Sequence, residues 1–153
     1  MSHAAPTTAT NARASIAQMR SLRSFALLLP LCVLPQDPVR TSFAVLAGFD
    51  WTAGMKLPDE VTKLDNQKVQ IGGFMLREAP GSGPVTQFLL INDACGCTGT
   101  PKMNEIVFCA MPDGATTDIK NGVVQVTGTL YVGEQKEEDE VVAIYVMDVD
   151  SIQ

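Results

Sequence analysis

The sequence predicts an all-β domain carrying one short helix, on three observations. Five apolar runs of strand length lie at 68–77, 87–92, 105–111, 123–132 and 141–149. The fourth alternates strictly, with Val124, Val126, Gly128, Leu130 and Val132 facing one way. Twelve glycines and nine prolines in 153 residues favour many short elements joined by turns over a few long helices. Gly72-Gly73, inside the first run, suggests a bulge or a sharp coil of the strand, and closing a small sheet on itself demands such a bend. With the long hairpin expected from the fourth and fifth runs, these features fit a small five-stranded OB-like Greek-key barrel. An open antiparallel sheet or a sandwich is the competing arrangement.

A chain of this length that is 46% hydrophobic buries one core. The single β domain is placed at 37–153 with an amino-terminal arm, behind a segment of different character at 1–36. Residues 1–18 are polar, rich in Ala and Thr and without periodicity, which reads as a disordered extension or as sequence upstream of a start at Met19. Arg20 and Arg23 then make a short basic region ahead of the apolar run 25–34, the order of an export signal. Ten residues with Pro30 among them are too short to span a hydrocarbon core of roughly 30 Å as a helix. Leu29-Pro30-Leu31-Cys32 is a degraded lipoprotein box, with Cys32 as the lipidation candidate. The alternative for 25–34 is a buried core element of a cytosolic protein.

Past Pro35 and Pro38, the patch 43–51 is apolar but broken by Gly48, and its expected use is to pack an arm or short strand on the main body, with Trp51 in the core. The stretch 57–64 is the one expected helix, because Pro58 suits a first helical position, Asp59 and Glu60 suit its dipole in the first turn, and Lys63 suits its end. The turn 79–84 joins the first two strands as a hairpin. Pro112-Asp113-Gly114 ends the third, and an acidic loop over 133–140 links the fourth to the fifth. Consecutive acids such as Glu137 to Glu140 on a hairpin tip are read as a solvated loop rather than a cation site.

Net charge narrows the partners. From Asp37 onward eight basic side chains stand against seventeen acidic ones, a balance of −9, which repels phosphate backbones and anionic membrane surfaces. Nucleic acid is therefore excluded as a partner, and membrane association is confined to the amino-terminal segment.

The chemistry-bearing stretch is 87–109, an apolar strand, a loop with Cys95 and Cys97, and a second strand ending on Cys109. In an oxidising compartment a structural disulfide is the default for such thiols. Direct closure of Cys95-Gly96-Cys97 is strained, so Cys109 with one loop cysteine is an equal option. Three thiolates would alternatively hold zinc or copper, with Met103 or Met111 as a soft supplement and Asp93 or a partner as a fourth ligand. Thiol redox catalysis is the weakest option, since only Asp93 and Lys102 supply charge near Cys95. The lone histidine, His3, lies in the segment expected to be removed, so a hydrolytic triad has no base.

Residues 73–76, 88–90, the cysteine loop, Pro101-Lys102-Met103-Asn104-Glu105 and the run 126–134 resemble the bacterial family catalogued as domain of unknown function 3299. The resemblance spans about 43–152 and is most specific at the cysteine loop followed by Pro-x-Met-Asn-Glu. It implies an exported or lipoprotein-like protein of no established enzymatic activity, with two neighbouring loop cysteines, adjacent or as Cys-x-x-Cys; here a single glycine separates them. Some relatives sit beside transporters that handle metals. The resemblance also singles out Asn104 and Glu105, with Glu105 expected to fix the loop by accepting backbone hydrogen bonds rather than to act in catalysis. The expectation for function is an exported, non-enzymatic binding or adaptor module in the periplasm or on the outer face of a bacterial membrane. It would engage a protein partner and need no cofactor; a zinc- or copper-binding or thiol-redox accessory of a transporter is the alternative.

Overall fold

The computed structural model describes residues 37–93 and 99–153. Among them the chain is mostly β, with six strands in one sheet and two single-turn helices. Strand β1 (Val39–Thr41) leads into helix α1 (Phe43–Leu46) and helix α2 (Asp59–Thr62), followed by β2 (Gln67–Leu76) and β3 (Gln87–Ile91). A 3-10 turn (Met103–Glu105) precedes β4 (Ile106–Ala110), and the long hairpin of β5 (Val123–Glu137) and β6 (Glu140–Ile152) completes the chain.

The elements follow from local chemistry. Phe43 and Leu46, one helical turn apart, are both buried, so the patch expected to be an arm or strand curls into a turn that presents them together to the core. Pro58 precedes α2, whose one core residue is Val61 and whose first turn carries Asp59 and Glu60. Asn66 then takes a left-handed conformation (φ 56) that stops the chain from continuing as helix, and its N–H donates to the Leu130 carbonyl at 2.7 Å. In β2 Val69, Ile71, Gly73 and Met75 are buried in strict alternation, and in β5 Val124, Val126, Gly128 and Leu130 repeat the pattern.

Pairing links these strands in an order that returns on itself. The end of β2 pairs antiparallel with β3 (Phe74 with Ile91, Leu76 with Leu89), and β3 with β4. Strand β4 runs parallel to β6 (Phe108 with Val146), β6 pairs antiparallel with β5, and β5 pairs antiparallel with β2 from Gln67–Leu130 to Phe74–Val123. Phe74 thus has Ile91 on one edge and Val123 on the other. The short β1 runs parallel along Val69–Ile71, on the edge that β3 leaves uncovered. The core between the strands is capped by Phe43, Leu46, Leu57 and Val61 of the arm.

Four expectations need correction. The sheet has six strands, not five, because the three residues of β1 are too few to leave a periodic signal in the sequence. Among the described residues there are two α-helices rather than one. Of the bulge or sharp coil expected at Gly72-Gly73, the bulge is not formed, since β2 keeps unbroken register with β5 through both residues. The irregularities lie between β5 and β6, where register shifts fall at Thr127/Gly128, Val132/Gln135 and Gln135/Lys136. The acidic loop expected over 133–140 contracts to a two-residue turn, Glu138 and Asp139, both at positive φ (47 and 75). Both central residues of a type I′ turn need positive φ, and this one is built without glycine.

Candidate functional site

The Pro-x-Met-Asn-Glu motif forms a clasp. Glu105 Oε2 accepts the Lys102 backbone N–H at 2.8 Å, and the Glu105 N–H donates back to the Lys102 carbonyl at 2.9 Å, which closes the 3-10 turn. Met103 packs against the core. Asn104, only 1% exposed, donates from Nδ2 to the Phe49 carbonyl at 2.8 Å, and the exposed Lys102 ammonium sits 3.2 Å from Asp50. The motif therefore holds the segment 49–51 against the sheet. Tyr145, fully buried, adds a second anchor by donating its hydroxyl to the Leu46 carbonyl at 2.7 Å, and burial pushes its phenol pKa up. Two buried polar atoms at this junction, Asn104 Oδ1 and Trp51 Nε1, have no partner among the described residues.

Cys109 lies on the core face of β4, opposite Phe88, and is 2% exposed. It is a free thiol whose Sγ–H points to the Val107 carbonyl at 3.7 Å, and burial pushes its pKa well above the usual thiol range. In this position Cys109 behaves as a small apolar core residue, and to join a thiolate site it would have to turn out of the core. Cys32, Cys95 and Cys97 lie outside the described residues.

The opposite face of the sheet carries a feature that alternation alone did not single out. Leu76 pairs with Leu89, Leu89 with Phe108, Phe108 with Val146, and Val146 with Tyr131. Partners in register share a face, so five apolar side chains form one row across five strands on the outside of the sheet. Leu76 is 49% exposed and Tyr131 38%, while the three between are half-buried. The Tyr131 hydroxyl donates to Asp148 at 3.1 Å, and that carboxylate raises its pKa. Beside the row a cleft of about 390 Å³ opens over β3, β4 and the β5–β6 hairpin, lined among others by Phe108, Ala110, Val142, Val146, Glu78 and Glu137. The available signal was the failure of alternation in 87–91, 106–110 and 141–147, where consecutive apolar residues leave both faces apolar.

Fold and site together define a small all-β module whose arm is clasped to a six-stranded sheet and whose outer face is more apolar than solvent alone would select. The chain belongs to the family described as Protein of unknown function (DUF3299), whose profile matches residues 41–153. It is also similar to the crystal structure of a DUF3299 family protein from Pseudomonas aeruginosa PAO1. That likeness has 22% identity, covers 76% of this chain and 95% of that one, and has a TM-score of 0.53, so it concerns the fold. No functionally curated protein matches the chain.

Proposed function

We propose that this protein is an exported, non-enzymatic binding module of the bacterial envelope, built on a closed five-stranded barrel of the OB type and engaging a protein partner. The observation that carries the reading is the apolar row Leu76, Leu89, Phe108, Val146 and Tyr131 on the outer sheet face. An apolar stripe on the outer face, exposed at its Leu76 and Tyr131 ends and half-buried between them, is on a chain this acidic a surface for contact. The barrel is supported by the cyclic order β2-β3-β4-β6-β5 with one parallel link, β4 to β6. Five strands closing with a single parallel pair is the Greek-key solution to the edge problem, and β1 then supplements the part of β2 that β3 leaves open. Export is supported by the basic residues Arg20 and Arg23 ahead of the apolar run 25–34. The thiol-based alternative draws no support from Cys109, which is buried with a raised pKa.

The test is fractionation of the native bacterial host combined with photo-crosslinking from position 108. The expected result is a shortened or lipid-modified chain in the envelope fraction and a discrete protein adduct from position 108. An intact, unprocessed chain in the cytosol with no adduct overturns the reading.

A further inference from the structure

We infer that the cleft over β3, β4 and the β5–β6 hairpin is a docking site for a cationic segment of a partner protein, seated by an apolar side chain and held by Lys or Arg residues on either side of it. The inference rests on the binding-module reading above and adds the chemistry of what is bound. The floor is apolar, with Phe108 and Ala110 from β4 and Val142 and Val146 from β6. Its volume of about 390 Å³ falls in the roughly 300–1,000 Å³ range of pre-formed binding clefts. The rim is different in kind. Glu78, in the connection after β2, and Glu137, at the end of β5, come from opposite sides of the β3-β4-β6 floor in the strand order, and Gln87 and Gln135 supply amides.

Among the described residues no Lys or Arg lines this cleft. The nearest cations along the chain are engaged elsewhere: the Arg77 guanidinium donates to the Gly83 carbonyl, and the Lys136 ammonium lies 3.6 Å from Glu134. Among the described residues neither Glu78 nor Glu137 takes part in an ion pair. The hairpin end extends the negative rim through Glu138 and Glu140. A low-dielectric floor beside carboxylates that have no cation partner among the described residues selects for a positive group and against phosphate. Nucleic acid, an anionic lipid surface and a second copy of this acidic chain are all disfavoured by the same charges. An apolar side chain flanked by Lys or Arg satisfies floor and rim together.

The experiment uses the full chain and three fluorescein-labelled synthetic peptides: acetyl-Lys-Lys-Leu-Phe-Leu-Lys-Lys-amide, the same peptide with Glu for every Lys, and the same with Ser for the Leu and Phe residues. Anisotropy should show binding of the first alone, weakening as salt rises. The double substitution Glu78→Gln with Glu137→Gln should weaken it roughly fivefold or more, and Phe108→Ser should weaken it at low and high salt alike. Glu60→Gln, which removes an acid in α2 away from the cleft, is the control and should leave binding unchanged. Equal binding of the acidic peptide, equal loss in the Glu60→Gln control, or a salt-resistant dimer that the peptide displaces would overturn the assignment. A protein adduct from position 108 in cells without binding of the cationic peptide would leave the binding module standing and refute its cationic partner.

Discussion

Adding a single methyl group at Gly72 and at Gly73 should have very different effects, although both residues sit in the same strand. A Cβ on Gly73 would lie 2.8 Å from the Ile91 carbonyl oxygen, 2.9 Å from Leu90 Cγ and 3.0 Å from the Phe43 ring. The first of these is backbone in the paired strand, so relief requires β2 and β3 to separate or α1 to lift. A Cβ on Gly72 would meet Gln125 Nε2 at 2.6 Å, the far end of a flexible side chain on the outer face that swings away at little cost. Gly128 is the extreme case, since a Cβ there would run into the backbone carbonyl oxygen of Asp148 on the paired strand. Overpacking of this kind costs about 1–3 kcal/mol, against which glycine to alanine recovers about 0.4–1 kcal/mol from the unfolded chain. Gly72→Ala should therefore be neutral or slightly stabilising, Gly73→Ala should lose about 1–2 kcal/mol and Gly128→Ala, at the upper end of the overpacking range, about 2–3 kcal/mol. At roughly 4 °C per kcal/mol for a domain of this size, calorimetry of the three variants separates them. If Gly72→Ala melts at or below Gly73→Ala, the inward placement of Gly73 and its contact with β3 and the arm are wrong.

Three further outcomes follow from the clasp and the core. Tyr145→Phe removes the donor to the Leu46 carbonyl and should cost about 1–2 kcal/mol by urea titration; an unchanged midpoint would mean that the arm is held without it. Asn104→Ala should cost about 1–3 kcal/mol and speed proteolysis within 49–55, whereas Lys102→Ala, which breaks only an exposed pair, should cost less than about 1 kcal/mol. Equal effects would place the clasp's strength in charge and not in the buried amide. For Cys109 the folded pKa is raised, so above the ordinary thiol range near 8.5 the unfolded chain gives up a proton that the folded chain keeps. Stability tied to this thiol is thus full below that range and falls as pH climbs past it. Urea midpoints should drop between about pH 7 and pH 9.5, and Cys109→Ala should reduce the drop. An identical pH slope in that variant would refute the burial of the thiol.

The chain's alternation determined the β class and much of the inward face by itself. Val124, Val126, Gly128 and Leu130 face inward because period-2 patterning leaves one way to bury three apolar side chains and a glycine on one strand. The hairpin turn at 79–84 was equally legible, since a cluster of Pro and Gly between two apolar runs has few other uses. The capping role of Glu105, a residue the family resemblance singles out, was within reach because its partner is only three residues away.

What the tertiary structure decided is what depends on residues far apart in the chain. Strand β1 has three residues and exists because β2 offers it an open edge about 30 residues downstream. Asn104 looks polar and available in sequence, yet it is buried because its amide meets the Phe49 carbonyl across 55 positions. Cys109 reads as a ligand beside Cys95 and Cys97 until register with Phe88 turns it into the core. The outer apolar row needs four separate registers to align Leu76, Leu89, Phe108, Val146 and Tyr131, and a shift of one residue in any of them would move that side chain to the other face. Local periodicity fixes which way a side chain faces along its own strand; only the pairing of strands fixes what stands next to it.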